Sequence, residues 1–236
     1  MKKLITALLA ALCIFSCSKD DAIMRYYDSW GDIGYANTIY SDNGFTFKIV
    51  KYKNEDARIA EGMDRVRFSC KILKKISQTE YEVELLDWNR VLKKNYVSST
   101  SLKGQDDALG HDAIAINSAW ISGGYLNLNL SLTFTSGSET VHIINLLYDV
   151  DSSDQETLRF QLRHNGFGES YGENGVTSAK DVVLSYALLS VPITDFVPSE
   201  GSRNIEIGWD WHISDNEGIH PQTEHRTTTG ILYAKN

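Results

Sequence analysis

From residue 125 to 132 the chain alternates strictly. Leu126, Leu128, Leu130 and Leu132 fall on one parity, and Tyr125, Asn127, Asn129 and Ser131 on the other. A period of two sends successive side chains to opposite faces of a strand, so this stretch reads as a β-strand with a leucine face and a polar, amide-rich face. The same alternation runs through residues 66–72 and 80–86, the latter with Tyr81, Val83 and Leu85 on one face. With only 3 Pro in 236 residues, few of these runs are interrupted, and aromatic residues at 11% supply rings for cores. The fold class is all-β.

The strands fall into two groups. Residues 35–40 and 45–52 flank Ser41-Asp42-Asn43-Gly44, and an Asn-Gly pair between apolar runs is a strong hairpin signal. With 66–72, 80–86 and a weaker run at 91–97, they make five short strands, the pattern of a small OB-like Greek-key barrel over residues 29–103. A helical turn fits only within 54–64. Residues 98–110 are polar and without apolar period, and 104–110 is the predicted linker: exposed, between domains that fold separately. Beyond it, runs at 113–122, 125–135, 140–149, 157–164, 182–189, 203–213 and 228–234 predict a β-sandwich over residues 111–236. Gly123-Gly124 supplies the first turn, and Trp120 is expected to anchor the sandwich core.

The first sixteen residues read as an address. Lys2 and Lys3 precede an apolar run from Leu4 to Phe15, well short of the roughly 20 residues a membrane-spanning helix needs. Ile14-Phe15-Ser16-Cys17 resembles the bacterial lipoprotein box, in which cleavage before the cysteine accompanies lipidation of its sulfur. Residues 1–16 are thus expected to be a signal peptide and Cys17 the lipidation site, with 17–28 as acylated terminus and tether. Ser18-Lys19-Asp20-Asp21 resembles the short acidic export tag of many Bacteroidetes lipoproteins, which implies an outer-membrane protein exposed at the cell surface. Loss of Lys2 and Lys3 takes Lys+Arg from 23 to 21 against 31 Asp+Glu, so the net charge moves from −8 to −10. Such a surface repels nucleic acid phosphates. With Cys13 removed and Cys17 acylated, Cys70 stands alone, a buried inert thiol rather than a nucleophile.

No chemical motif emerges. The chain has no phosphate loop. His212, His220 and His225 lie near Asp210 and Asp215, but His220-x4-His225 across Pro221 matches no metal spacing and reads as loop histidines. Residues 149–154 lack the glycine and closing glutamate of a calcium loop and read as an acidic hairpin tip. Lys48, Lys51, Lys53, Lys71, Lys74 and Lys75 are interleaved with acids and read as a solvated strand face. The expectation is therefore a protein with no catalytic residue, metal or cofactor, binding an unidentified protein or glycan. Asn127 and Asn129 on the polar face, with Arg163, His164 and Asn165 at a strand end, form the expected partner surface. A hydrolase using carboxylates on the sandwich loops is the alternative from another class.

Asn117-Ser118-Ala119-Trp120-Ile121-Ser122-Gly123-Gly124-Tyr125, within 112–128, resembles the strand pair of the NigD-like lipoproteins of Bacteroidetes. His142-Ile143-Ile144-Asn145-Leu146 and residues 158–165 are similar to that family's next two strands. The resemblance implies an N-terminal OB-type barrel and a C-terminal β-sandwich. It implies no mechanism, although the bacteriocin origin of the family name implies an immunity or inhibitor role as a further alternative.

Overall fold

The computed structural model describes residues 24–172, 175–216 and 218–234. The expected signal peptide, Cys17 and the expected acidic tag lie outside the described residues. The tether expected to reach residue 28 is shorter, because β1 (Arg25–Gly34) already begins at Arg25.

β1, β2 (Thr38–Ser41), β3 (Thr46–Tyr52), β4 (Arg65–Lys75) and β5 (Glu80–Arg90) close into a barrel in the order β1-β2-β3-β5-β4. All neighbours are antiparallel except β3 and β5. The inward parity of the alternating runs fills it: Phe47, Val66, Phe68, Val83 and Leu85 are buried, with Tyr81 stacked on Phe47. Cys70 belongs to this core, and burial pushes its thiol up to about 12, so the sulfur is protonated and inert. Gly44 takes a φ of 80° in the β2–β3 turn, as the Asn-Gly pair predicts. The one helical turn within 54–64 is Glu55–Ala57, where the Asn54 side chain accepts the Ala57 N–H at 3.0 Å.

The fifth barrel strand is β1, not residues 91–97. A register shift between Tyr26 and Ser29, with Asp28 at a φ of 51°, breaks the period of two in β1 and hides it from the sequence. Residues 91–97 serve the second domain instead. β6 (Leu92–Lys93) runs parallel to β12 (Val182–Pro192), and β7 (Val97–Ser98) runs parallel to β10 (Ile143–Asp149). The segment leaving the barrel therefore gives one short strand to each sheet of the sandwich.

The sandwich comprises a sheet ordered β6-β12-β9-β8 and a sheet ordered β14-β13-β11-β10-β7. Here β8 is Ile114–Ser122, β9 Tyr125–Thr135, β11 Thr157–Asn165, β13 Ser202–Asp215 and β14 Gly218–Tyr233. The four leucines of β9 face Ile144, Leu146, Leu158 and Phe160 across the core. Each fully buried leucine contributes about 1.5–3 kcal/mol. β14 is longer than the run at 228–234 predicts. Its first half contains Pro221, which an outermost strand tolerates because one side of its backbone needs no ladder donor.

Two expectations are corrected. Residues 103–108 are exposed, as expected, but 98–110 is not a free linker: α1 (Ser99–Leu102) and a 3-10 turn (Asp106–Leu109) lie against the five-stranded sheet, with Leu109 buried. Side chains on β11 hold this polar segment, which is why it carries no apolar period. Trp120 is not in the sandwich core. It is half-buried on the outer face of its sheet, edge-on to the barrel's Trp30 at 4.8 Å and packed with Val91 and Leu188.

His164 continues the inward row Leu158, Phe160, Leu162, and burial pushes it down to about 4; His212, also fully buried, is lowered to about 4 by the same cause. An unfolded histidine protonates near 6.5, so between pH 6.5 and 4 the unfolded chain binds protons that the folded chain refuses, and acid removes stability. Asp154, held low first by backbone N–H donors, loses its contribution only below the ordinary carboxylate range. Urea midpoints should therefore fall steadily from pH 7 to pH 4.5, with each histidine worth on the order of 3 kcal/mol across the full window. A midpoint flat over that range would contradict the burial of these neutral rings.

Candidate functional site

Arg65 opens β4 on the barrel, yet its side chain is fully buried against the sandwich. An unpaired guanidinium there would be prohibitive, so every donor must find a partner. Nη2 donates to Asp42 Oδ2 at 2.5 Å and to Asn127 Oδ1 at 3.1 Å. Nε donates to Ser190 Oγ at 2.8 Å, and Nη1 to Asp32 Oδ1 at 3.4 Å. The face of the cation lies 4.1 Å from the Tyr125 ring. The partners bond one another as well. The Ser190 hydroxyl donates to Asn127 Oδ1 at 2.6 Å, Asn127 Nδ2 to Ser122 Oγ at 3.0 Å, and the Ser122 hydroxyl to Asp42 Oδ2 at 2.7 Å. Burial holds the Tyr125 phenol above its usual range, so it stays protonated and donates to Asp32 Oδ2 at 2.9 Å.

The acids come from the barrel and the amide and hydroxyls from the sandwich, so this net joins the two domains. The β8–β9 turn must approach it closely. Gly123 has a φ of 58°, and a Cβ there would sit 2.5 Å from Asp42 Oδ1, so both the conformation and the space demand glycine.

Beside the net, the barrel and the outer face of the four-stranded sheet diverge into a cleft of about 550 Å³. Arg67, Asn89 and Arg90 line it from β4 and β5, and Asn129, Tyr186 and Leu188 from the sandwich. Tyr186 is 69% exposed. Arg67 is engaged by Asp28 at 2.7 Å. An aromatic ring, two amides and a cation in a wide, shallow hollow are suited to gripping a polar or acidic surface. A second groove, about 410 Å³ along β8 and β14, is floored by the sandwich core itself, at Leu126, Ile205 and Ile207.

The residues expected to form one partner surface are divided by the fold. Asn129 lines the cleft, whereas Asn127, on the same face, is fully buried because the barrel covers that part of it. Arg163, His164 and Asn165 lie on the other sheet. Arg163 donates to His111 Nε2 at 2.8 Å and lies 3.6 Å from Asp106, and Asn165 Nδ2 donates to the Ala108 carbonyl at 3.3 Å, so both fasten the segment after α1. His164 points inward and meets His142 Nδ1 at 2.9 Å. The three histidines read as loop residues are on strands: His212 faces the interior, while His220 and His225 each lie 2.9 Å from an aspartate, Asp215 and Asp210. Among the described residues no three His, Cys, Asp or Glu side chains gather as metal ligands would. The residue missed altogether is Arg65, since an arginine opening a strand carries no mark of burial.

Residues 96–209 match the model of the NigD-like C-terminal beta sandwich domain. That part of the chain is a NigD-like sandwich domain. The match begins at Tyr96, beside β7, in keeping with the assignment of that strand to the sandwich rather than the barrel. The fold is similar to that of a NigD-like immunity protein from Bacteroides caccae ATCC 43185, at 17% identity and a TM-score of 0.57 over 87% of this chain and 92% of that one. It is also similar to a protein of unknown function, DUF1344, from Bacteroides vulgatus ATCC 8482 (16% identity, TM-score 0.59, 90% and 92% covered). A candidate lipoprotein from Bacteroides fragilis NCTC 9343 gives 11% identity and a TM-score of 0.59 over 90% and 99% of the two chains. At these identities the likeness is one of fold. No curated protein matches the chain.

The buried net should make the barrel and the NigD-like sandwich unfold together. Arg65→Ala strands Asp42 without its cation and should cost about 3–5 kcal/mol. Calorimetry of the variant should show the single parental transition divided in two. A loss under about 1 kcal/mol with one transition retained would mean that the net is not the joint.

Proposed function

We propose that this protein is a non-enzymatic lipoprotein of the cell envelope, anchored through Cys17, that binds a protein partner in the cleft between barrel and sandwich. The observation that carries the reading is the cleft itself: Tyr186, Asn129, Asn89 and Arg90 converge on it from two domains whose relative position is held by the Arg65 net. Preorganised aromatic and arginine side chains at a rigid junction are the composition of a recognition surface. The NigD-like immunity protein of Bacteroides caccae supports a partner of the toxin kind, which this chain would bind and neutralise. The candidate lipoprotein among the similar structures supports the anchor and an extracytoplasmic place. Exposure at the outer surface of the outer membrane follows from the Ser18-Lys19-Asp20-Asp21 tag and belongs to the same proposal.

Two experiments test it. Cys17→Ala should abolish incorporation of labelled acyl chains and release the protein from the membrane fraction; a variant still acylated would place the anchor elsewhere. A photoreactive residue replacing Tyr186 in cells should yield one discrete protein adduct, and the same residue replacing Ile231, on the far groove, should yield none. If only the Ile231 position crosslinks, the cleft is not the binding face. If neither crosslinks and the purified chain cleaves an envelope polymer, the binding reading fails in favour of a hydrolase.

A further inference from the structure

Strand edges expose unpaired backbone N–H and C=O groups, and proteins blunt them with prolines, charges, bulges or cover. The barrel closes on itself. At one margin of the five-stranded sheet, β14 carries Pro221, Glu224, His225 and Arg226. At the other, the part of β10 beyond β7 is capped by Lys94, whose Nζ donates to the Ile144 carbonyl at 2.7 Å. In the four-stranded sheet β8 is interrupted by a bulge between Ile116 and Ser118.

β12 has none of these devices. β6 covers its outer side only at Leu189 and Ser190, and no described strand lies beside residues 182–188 on that side. This stretch, Val-Val-Leu-Ser-Tyr-Ala-Leu, has no charge and no proline, and its pairing to β9 has no register shift. Leu184 is 48% exposed and Tyr186 69%. The Ser190 carbonyl accepts the Lys94 N–H at 3.1 Å, so residue 190 turns its backbone groups away from β9. Counting by twos, Tyr186 and Leu184 turn theirs to the same side, beyond the reach of β6, while Ala187, Ser185 and Val183 serve the β9 ladder. The free edge is about 23 Å long. One end runs into the cleft beside Arg90, which is exposed and has no acidic partner among the described residues.

We infer that the open edge of β12, residues 182–188, receives an extended segment of a protein partner as an added strand, with an acidic residue of that segment meeting Arg90. The inference rests on the partner-binding reading and specifies how the partner is held. Regularly spaced backbone donors and acceptors are satisfied by another backbone, not by a glycan. The same edge already takes a strand this way, since β6 docks on it by backbone pairing. Leu184 and Tyr186 give an incoming strand same-face apolar neighbours, and Arg90 selects an acidic one.

The probe is a display library of random eight-residue peptides selected on the full chain. Selected peptides should alternate apolar residues, carry Asp or Glu near one end, and slow hydrogen exchange at the Leu184 and Tyr186 amides. Leu184→Pro removes an outward N–H that β9 does not use, and should weaken binding about tenfold. Independently of how that variant folds, a peptide N-methylated at alternate residues should lose binding to the parent chain in one of the two alternations and keep it in the other. Arg90→Glu should weaken acidic peptides and favour their lysine counterparts. Equal binding of both N-methylated series, or protection at β8 or β14 instead, overturns the edge and leaves the partner-binding reading standing. No selected peptide together with no adduct at Tyr186 overturns both. A concentration-dependent dimer of the free chain that protects the β12 amides would make the occupant a second copy and overturn the partner.

Discussion

A cation buried between two domains governs this molecule. Taking a guanidinium out of water costs several kcal/mol unless its donors are met in good geometry, and no single domain here meets them. The barrel brings Asp42 and Asp32, and the sandwich brings Asn127, Ser190 and the face of Tyr125. Much else follows from that shared requirement. Asn127 must be an amide, because it accepts from Arg65 while donating to Ser122. Gly123 must be glycine, because Asp42 lies where a side chain would. Ser190 fixes β12 against the barrel, and the buried Trp30 with the half-buried Trp120 closes the apolar part of the same contact.

The fold was largely legible because period-two alternation survives wherever one face is buried and the other solvated. The four leucines of β9, the inward row of β4 and the Asn43-Gly44 turn all read correctly from pattern alone. The failures have physical causes. β1 carries a bulge, and a bulge erases parity. The weak run at 91–97 is apolar because it closes the side of a sandwich, two residues to each sheet, and nothing in it names the domain it serves. The polar segment 98–110 looks like a linker because Arg163 and Asn165 hold it by hydrogen bonds rather than by apolar burial.

The site was legible only by half. Pattern put Asn127 and Asn129 on one polar face, which is right, but a face is not a surface: the barrel covers Asn127 and leaves Asn129 at the cleft. Arg163, His164 and Asn165 looked like recognition groups because they are polar and clustered in sequence, and each proves engaged within the chain. Arg65, which organises the joint, looked like any strand-opening arginine. Burial of a charge depends on what meets it from elsewhere in the chain, and that information is absent from local sequence. The joint, in turn, positions the cleft and brings Arg90 beside the uncovered run of β12.

The most direct test of that account is a double-mutant cycle across the joint, with Arg65→Met and Asn127→Leu measured singly and together by chemical denaturation. The two side chains belong to different domains and meet at 3.1 Å in a dry site. If the net binds the domains into one body, the pair should show a coupling energy of about 1–3 kcal/mol. Effects that add to within about 0.5 kcal/mol would contradict it, leaving barrel and sandwich as neighbours without a lock.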